Sequence, residues 1–112
     1  MMEENKKQNK KTRILYFDTA DRDKIIIGLG EKYWEFTNRE QKAQDLVGLI
    51  EETLKKEKIS LNEIKGIEVN LGPGSFTGLR IGVAVANALG FALDIPVNGR
   101  RKLVLPKYEK YK

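Results

Sequence analysis

The chain of 112 residues contains no cysteine and no histidine. The first absence excludes disulfides and thiol chemistry and fits a cytoplasmic setting. Together they leave zinc only carboxylate ligands, a set that zinc proteins rarely use, so neither a structural metal nor metal-dependent proteolysis is expected. A Ser-His-Asp triad cannot be assembled from these residues. No apolar run of about 18 residues is free of charge, so no membrane span is expected. The lysine-rich start leads into no apolar stretch, so a secretory signal is not expected either.

What is present is a modest apolar fraction, 40%, beside 33% charged residues. That balance suits one soluble globular domain with solvated tails. The net charge of +5 sits at the ends. Lys6, Lys7, Lys10, Lys11 and Arg13 dominate the start. Arg100, Arg101, Lys102, Lys107, Lys110 and Lys112 face one acid, Glu109, at the other end. Such ends contact RNA in some proteins and only confer solubility in others. Residues 1–12 lack apolar periodicity and are expected to be a disordered basic tail. Residues 13–99 form the folded body, and 100–112 a basic C-terminal segment.

The stretch from Leu71 to Gly82 organises the rest. Apolar alternation at Ile67, Val69 and Leu71 predicts a strand, and the small and apolar run from Val83 to Leu93 predicts a buried helix. Between them, Gly72, Pro73 and Gly74 force a tight turn. Ser75 and Thr77 stand where a helix is capped. Gly72, Gly74, Ser75 and Thr77 are therefore a candidate anion-binding loop at a helix start, or simply a turn and its cap. The glycine spacing fits neither a P-loop nor the dinucleotide fingerprint.

In chain order, Ile14–Phe17 predicts a central strand buried on both faces. Lys24–Leu29 and Lys32–Phe36 predict a hairpin pair beside it. Thr37 and Glu40 have capping-box spacing, opening a helix to about Lys58 with Ala43, Leu46, Val47, Ile50 and Leu54 on one face. Gly48 inside it is costly unless something approaches closely. Ser60 should cap a short turn, a fourth strand should run from about Gly66 to Leu71, and Pro96 should stop the second helix. Val97–Gly99, with Leu103–Leu105, would start a fifth strand. The order β-β-β-α-β-α-β predicts an α/β fold, a mixed five-stranded sheet with two main helices, as in a single ribonuclease H-like or actin-like lobe.

Gly78, Gly82, Ala86 and Gly90 recur every four residues along the second helix. Glycines there cost about 1 kcal/mol each relative to alanine. The compensation is a close neighbour, either the domain's own sheet or a helix of another chain. The helix is apolar nearly all round, so both of its sides should be covered.

These residues carry a resemblance. Gly72-Pro73-Gly74-Ser75-Phe76-Thr77-Gly78-Leu79-Arg80-Ile81-Gly82 resembles the signature of the TsaB (YeaZ) family. Ile14–Thr19 is similar to that family's opening strand, and Leu46–Ile50, Ser60-Leu61 and Ile95-Pro96-Val97 match as well. The resemblance covers about residues 14–99, one of the two lobes that most members have. Lys42-Ala43-Gln44 stands where the family usually has His-Ser-Glu, and Gly48 where it has proline. The basic ending after Asn98-Gly99 has the look of a natural tail.

The resemblance implies an actin-like (ASKHA) lobe without a catalytic site or cofactor of its own. It implies a non-catalytic scaffold in the tRNA N6-threonylcarbamoyladenosine machinery, paired with a TsaD-type transferase, with a TsaE-type ATPase docking on the pair and tRNA contacted indirectly. Pairing through the two helices places Leu46, Val47, Ile50, Gly78, Gly82, Val85, Ala86 and Leu89 at the partner interface. Two alternatives are a nucleotide- or phosphate-binding domain using Asp18, Thr19 and the Gly72–Ser75 loop, and a homodimer built on the same helical face.

Overall fold

Short stretches of alternating apolar residues pair into one sheet because each has a single face to bury. The computed structural model describes residues 13–37, 45–101 and 103–106. Strands β1 (Ile14–Asp18), β2 (Ile25–Leu29), β3 (Lys32–Phe36) and β4 (Gly66–Val69) form a four-stranded sheet in the order β3-β2-β1-β4. The pairs β1–β2 and β2–β3 are antiparallel, and β1–β4 is parallel. Register sets Leu15 beside Leu29 and Ile67, and Phe17 beside Ile27 and Val69, all buried. The hairpin and the parallel crossover are as the sequence predicts.

Helices α1 (Leu46–Lys56) and α2 (Phe76–Leu93) pack on that apolar face. Leu46, Ile50 and Leu54 of α1, and Val83 and Ala86 of α2, join the strand residues in one core. A 3-10 turn at Leu61–Glu63 carries Ser60 as its cap, whose hydroxyl accepts from the Asn62 N–H at 3.2 Å.

Strand β1 is not buried on both faces. Leu15 and Phe17 are buried, whereas Ile14, Tyr16 and Asp18 are only half-buried, because both helices lie on one side. On the far face, register brings Tyr16, Gly28, Tyr33 and Glu68 into one row. The Tyr33 ring lies over Gly28, where a Cβ would come within 2.8 Å of it, and meets Tyr16 edge to face with centroids 6.0 Å apart. Burial, with the Asp18 carboxylate beside the ring, pushes the Tyr16 hydroxyl up to about 12. Its folded pKa is raised, so this contribution to stability is complete below pH 10 and is lost as pH rises towards 12. Ultraviolet titration should show one late-ionising tyrosine, and Tyr16→Phe should remove it.

The fifth strand shrinks to one residue. Val97 makes an isolated parallel bridge to Ile67, then the chain reverses through Asn98 (φ 51°) and Gly99 (φ 76°) and pairs back at Arg100. Two successive positive φ values make this the tight reversal that Asn-Gly favours, and they end any strand there. The Asn98 side chain continues the pairing instead. Its Oδ1 accepts from the Val69 N–H at 2.9 Å and its Nδ2 donates to the Val69 carbonyl at 3.1 Å.

The segment Leu103–Leu105 does not join the sheet either. Val104 is buried in the core, held where Asn87 Nδ2 donates to its carbonyl at 2.8 Å and Asn87 Oδ1 accepts from its N–H at 3.0 Å. The basic C-terminal segment is thus anchored to the body at least as far as Val104.

Helix α1 begins within the described residues at Leu46, after Asp45, whose side chain makes no capping bond. The Thr37–Glu40 capping box and the Lys42–Gln44 departure lie at least partly outside the described residues, as do residues 1–12 and 107–112. The close neighbour at Gly48 is Asp45, whose Oδ1 would be 2.8 Å from an added Cβ. That carboxylate is the exposed end of a short side chain and can swing away. Gly48→Ala should therefore stabilise the chain by up to about 1 kcal/mol through helix propensity, read as a higher melting temperature.

Candidate functional site

The loop before α2 is built from internal hydrogen bonds. The Gly72 N–H donates to Asn70 Oδ1 at 2.9 Å, and the Ser75 N–H donates to the Ala20 carbonyl at 2.7 Å. Ser75 is the N-cap, its hydroxyl accepting from the Gly78 N–H at 3.3 Å. At Gly74 a Cβ would lie 2.5 Å from that of Ala20, so the loop presses directly on the end of β1. Thr77 is exposed on the first turn of α2. Of the four candidate anion-binding residues, Gly72 and Ser75 thus have their N–H groups committed within the chain.

Asp18, the acid a phosphate-binding reading would use, is committed too. Its Oδ1 accepts from the Ala20 N–H at 2.9 Å and from Asn70 Nδ2 at 3.1 Å. Its Oδ2 accepts from the Tyr16 hydroxyl at 3.2 Å. The carboxylate braces the turn after β1 against the end of β4. Among the described residues no cluster of acids has the arrangement of a metal site.

Thr19 explains the glycine stripe. It is buried, and its hydroxyl donates to the Gly78 carbonyl at 2.6 Å. A Cβ at Gly78 would fall on the Thr19 carbonyl oxygen, and one at Gly82 on Thr19 Oγ1. Further along, a Cβ at Gly90 would lie 2.5 Å from a methyl of Val97. Ala86, between them, is fully buried. The stripe lets α2 settle onto the end of β1 and the Val97 bridge. The crossing expected of Gly82 and Ala86 is made inside the chain, not between chains.

The residues that the resemblance places at an interface differ in exposure. Leu46, Ile50, Gly78, Gly82 and Ala86 are buried in the chain's own core. Val47 is 52% exposed, and Val85 and Leu89 are half-buried. Nor, among the described residues, is α2 covered on both sides. Ala84, Ala88 and Ala92 are exposed at four-residue spacing, flanked by the half-buried Ile81, Val85 and Leu89. At one end of the helix Phe76 is 55% exposed beneath the Arg80 guanidinium, which stands 5.1 Å from its ring centre. By length and composition α2 could cross a membrane, but its glycine face is packed on the sheet. Ala84, Ala88 and Ala92 form a second small-residue stripe, facing outward, that the glycine pattern hides in the sequence. The signal was there in Ala84-x-x-x-Ala88-x-x-x-Ala92, masked by the glycines one turn-face away.

Residues 37–103 match the model of a family described as "TsaD: tRNA N6-adenosine threonylcarbamoyltransferase". The tRNA threonylcarbamoyladenosine biosynthesis protein TsaB of Escherichia coli (strain K12) is 32% identical over 91 residues, 78% of this chain and 39% of that protein. TsaB of Buchnera aphidicola subsp. Baizongia pistaciae (strain Bp) is 49% identical over 51 residues, 46% of this chain and 23% of that protein. The solved structure of YeaZ from Pseudomonas aeruginosa superposes with a TM-score of 0.64 at 28% identity, covering 75% of this chain and 41% of that one. The chain spans less than half the length of these relatives.

Proposed function

The chain belongs to the family described as TsaD, tRNA N6-adenosine threonylcarbamoyltransferase, and from that membership and its TsaB relatives we propose that it is a non-catalytic, partner-binding lobe. Its place is the formation of threonylcarbamoyladenosine in tRNA. The lobe holds a TsaD-type transferase subunit, and a TsaE-type ATPase joins the pair. The observation that carries this reading is the outer face of α2. Ala84, Ala88 and Ala92 are small and exposed between larger apolar flanks, so another helix can approach closely there. An exposed apolar helix face is a liability unless a partner covers it. Val47, Val85 and Leu89 are the expected interface residues that remain accessible to such a partner.

The absence of chemistry in this chain is supported by the commitments of Asp18 and the loop N–H groups. Asp18 is spent on bracing the turn after β1 against β4, Thr19 on docking α2, and the Gly72 and Ser75 N–H groups on bonds within the chain. Calorimetry of the isolated chain with ATP and Mg²⁺ should give no saturable heat. Co-purification with the TsaD-type and TsaE-type proteins of the same cell tests the assembly. A stable complex containing both is expected. A chain that binds nucleotide tightly and recovers neither protein would overturn the reading.

A further inference from the structure

The far end of α2 carries a second apolar surface, beside the Ala84–Ala92 stripe. Phe91 is 88% exposed and Leu103 is 71% exposed. Between them lies a cleft of about 290 Å³ floored by Ile95 and Val97 and rimmed by Arg100 and Arg101. The cleft exists because Asn87 pins Val104, which brings the chain back beside α2 and stands Leu103 across from Phe91. By helical spacing Asn87 and Phe91 border the Ala84–Ala88 stripe on the side away from Ile81 and Val85. Arg101 reaches Asp94 at 2.9 Å and cancels its charge, while Arg100 has no ion pair among the described residues. The rim is therefore net positive.

We propose that this cleft binds a nucleotide of single-stranded RNA, with a base against Phe91 and Leu103 and a phosphate at Arg100 and Arg101. A flat apolar wall beside cations is the pairing that a base and its phosphate require. The sequence beyond continues in the same character, with Lys107, Tyr108, Lys110, Tyr111 and Lys112. A bilayer surface favours an extended amphipathic face, whereas here two apolar side chains stand on either side of one cleft large enough for a single nucleotide. The proposal makes contact with RNA direct, and it does not depend on the docking of α2 to a partner.

The test uses the full chain alone and a labelled single-stranded RNA ten-mer, read by fluorescence anisotropy across a salt series. Saturable binding that weakens with salt is expected. Phe91→Ala should weaken it about ten-fold, the usual worth of one stacked base. Arg100→Glu should lower the slope of log affinity against log salt by at least about 0.7, the share of one phosphate on a single strand. Both positions are exposed, so the melting temperature of each variant should match the wild type. No saturable binding would overturn the proposal. So would binding that neither substitution changes, which would assign it to the basic ends. Preferential binding to phosphatidylserine vesicles, lost in the same two variants, would give the surface to a membrane and overturn it as well.

Discussion

Gly78→Ala is expected to lower the melting temperature by roughly 8–16 °C, equivalent to a net loss of about 2 kcal/mol in a domain of this size. In an ordinary helix the same change would gain about 1 kcal/mol. Here the new methyl would occupy the position of the Thr19 carbonyl oxygen. That oxygen is backbone at the end of the central strand, and the next residue, Ala20, is tied down by Ser75 and Asp18. It cannot move without displacing β1 or lifting α2. Overpacking of this kind costs about 1–3 kcal/mol and occasionally more. Moving α2 also breaks the Thr19–Gly78 hydrogen bond, for about another 1 kcal/mol.

Gly82→Ala meets the Thr19 hydroxyl instead of backbone. Its cost should therefore couple to Thr19: combined with Thr19→Ala, the two losses should sum to less than their separate values. Ala86→Leu should likewise destabilise the isolated chain, because Ala86 is fully buried against the core. A Gly78→Ala chain that melts at or above the wild-type temperature would show that α2 does not sit on β1 as described.

Ala88→Arg is expected to have the opposite signature. Ala88 is exposed on α2, so the isolated chain should keep its stability to within about 0.5 kcal/mol. At a helix crossing, the arginine would bring both bulk and an unpaired charge where two small surfaces must meet. Burying such a charge at an interface costs about 2–5 kcal/mol, so assembly with the TsaD-type subunit should weaken at least about thirty-fold. Sedimentation velocity of the mixture, beside a melt of each variant, separates the two effects. If the chain self-associates through the same face, Ala88→Arg should dissociate that dimer too.

The four strands, the hairpin and both helices are legible in the sequence because each depends on local signals. Alternation at Ile25, Ile27 and Leu29 marks a strand buried on one side, and Ser75 before an apolar run marks a helix start. What stayed hidden depends on contacts between distant residues. Nothing near Gly78 announces that Thr19, 59 residues away, fills its groove. The stripe is visible in the sequence but its neighbour is not, so pattern alone does not tell the inner face of α2 from the outer one. The fifth strand expected from Val97 and Leu103–Leu105 fails for two reasons: Asn98-Gly99 is a local reversal signal that ends it, and the grip of Asn87 on Val104 is a tertiary contact. Burial of β1 on both faces was inferred from a continuous apolar run, but Tyr16 is amphipathic and sits comfortably on a half-open face.

The central claim is that the outward stripe of α2, not the glycine stripe or the Gly72–Ser75 loop, meets the transferase subunit. The absence of native cysteine allows a direct measurement of it. Ala88→Cys and, on the far face of the sheet, Glu35→Cys each place one thiol in the chain at an exposed position. The rate of maleimide alkylation is then measured with and without saturating TsaD-type protein. The account expects Cys labelling at position 88 to slow at least about ten-fold on complex formation, while labelling at position 35 is unchanged. Unchanged labelling at 88 in a complex that demonstrably forms would contradict it.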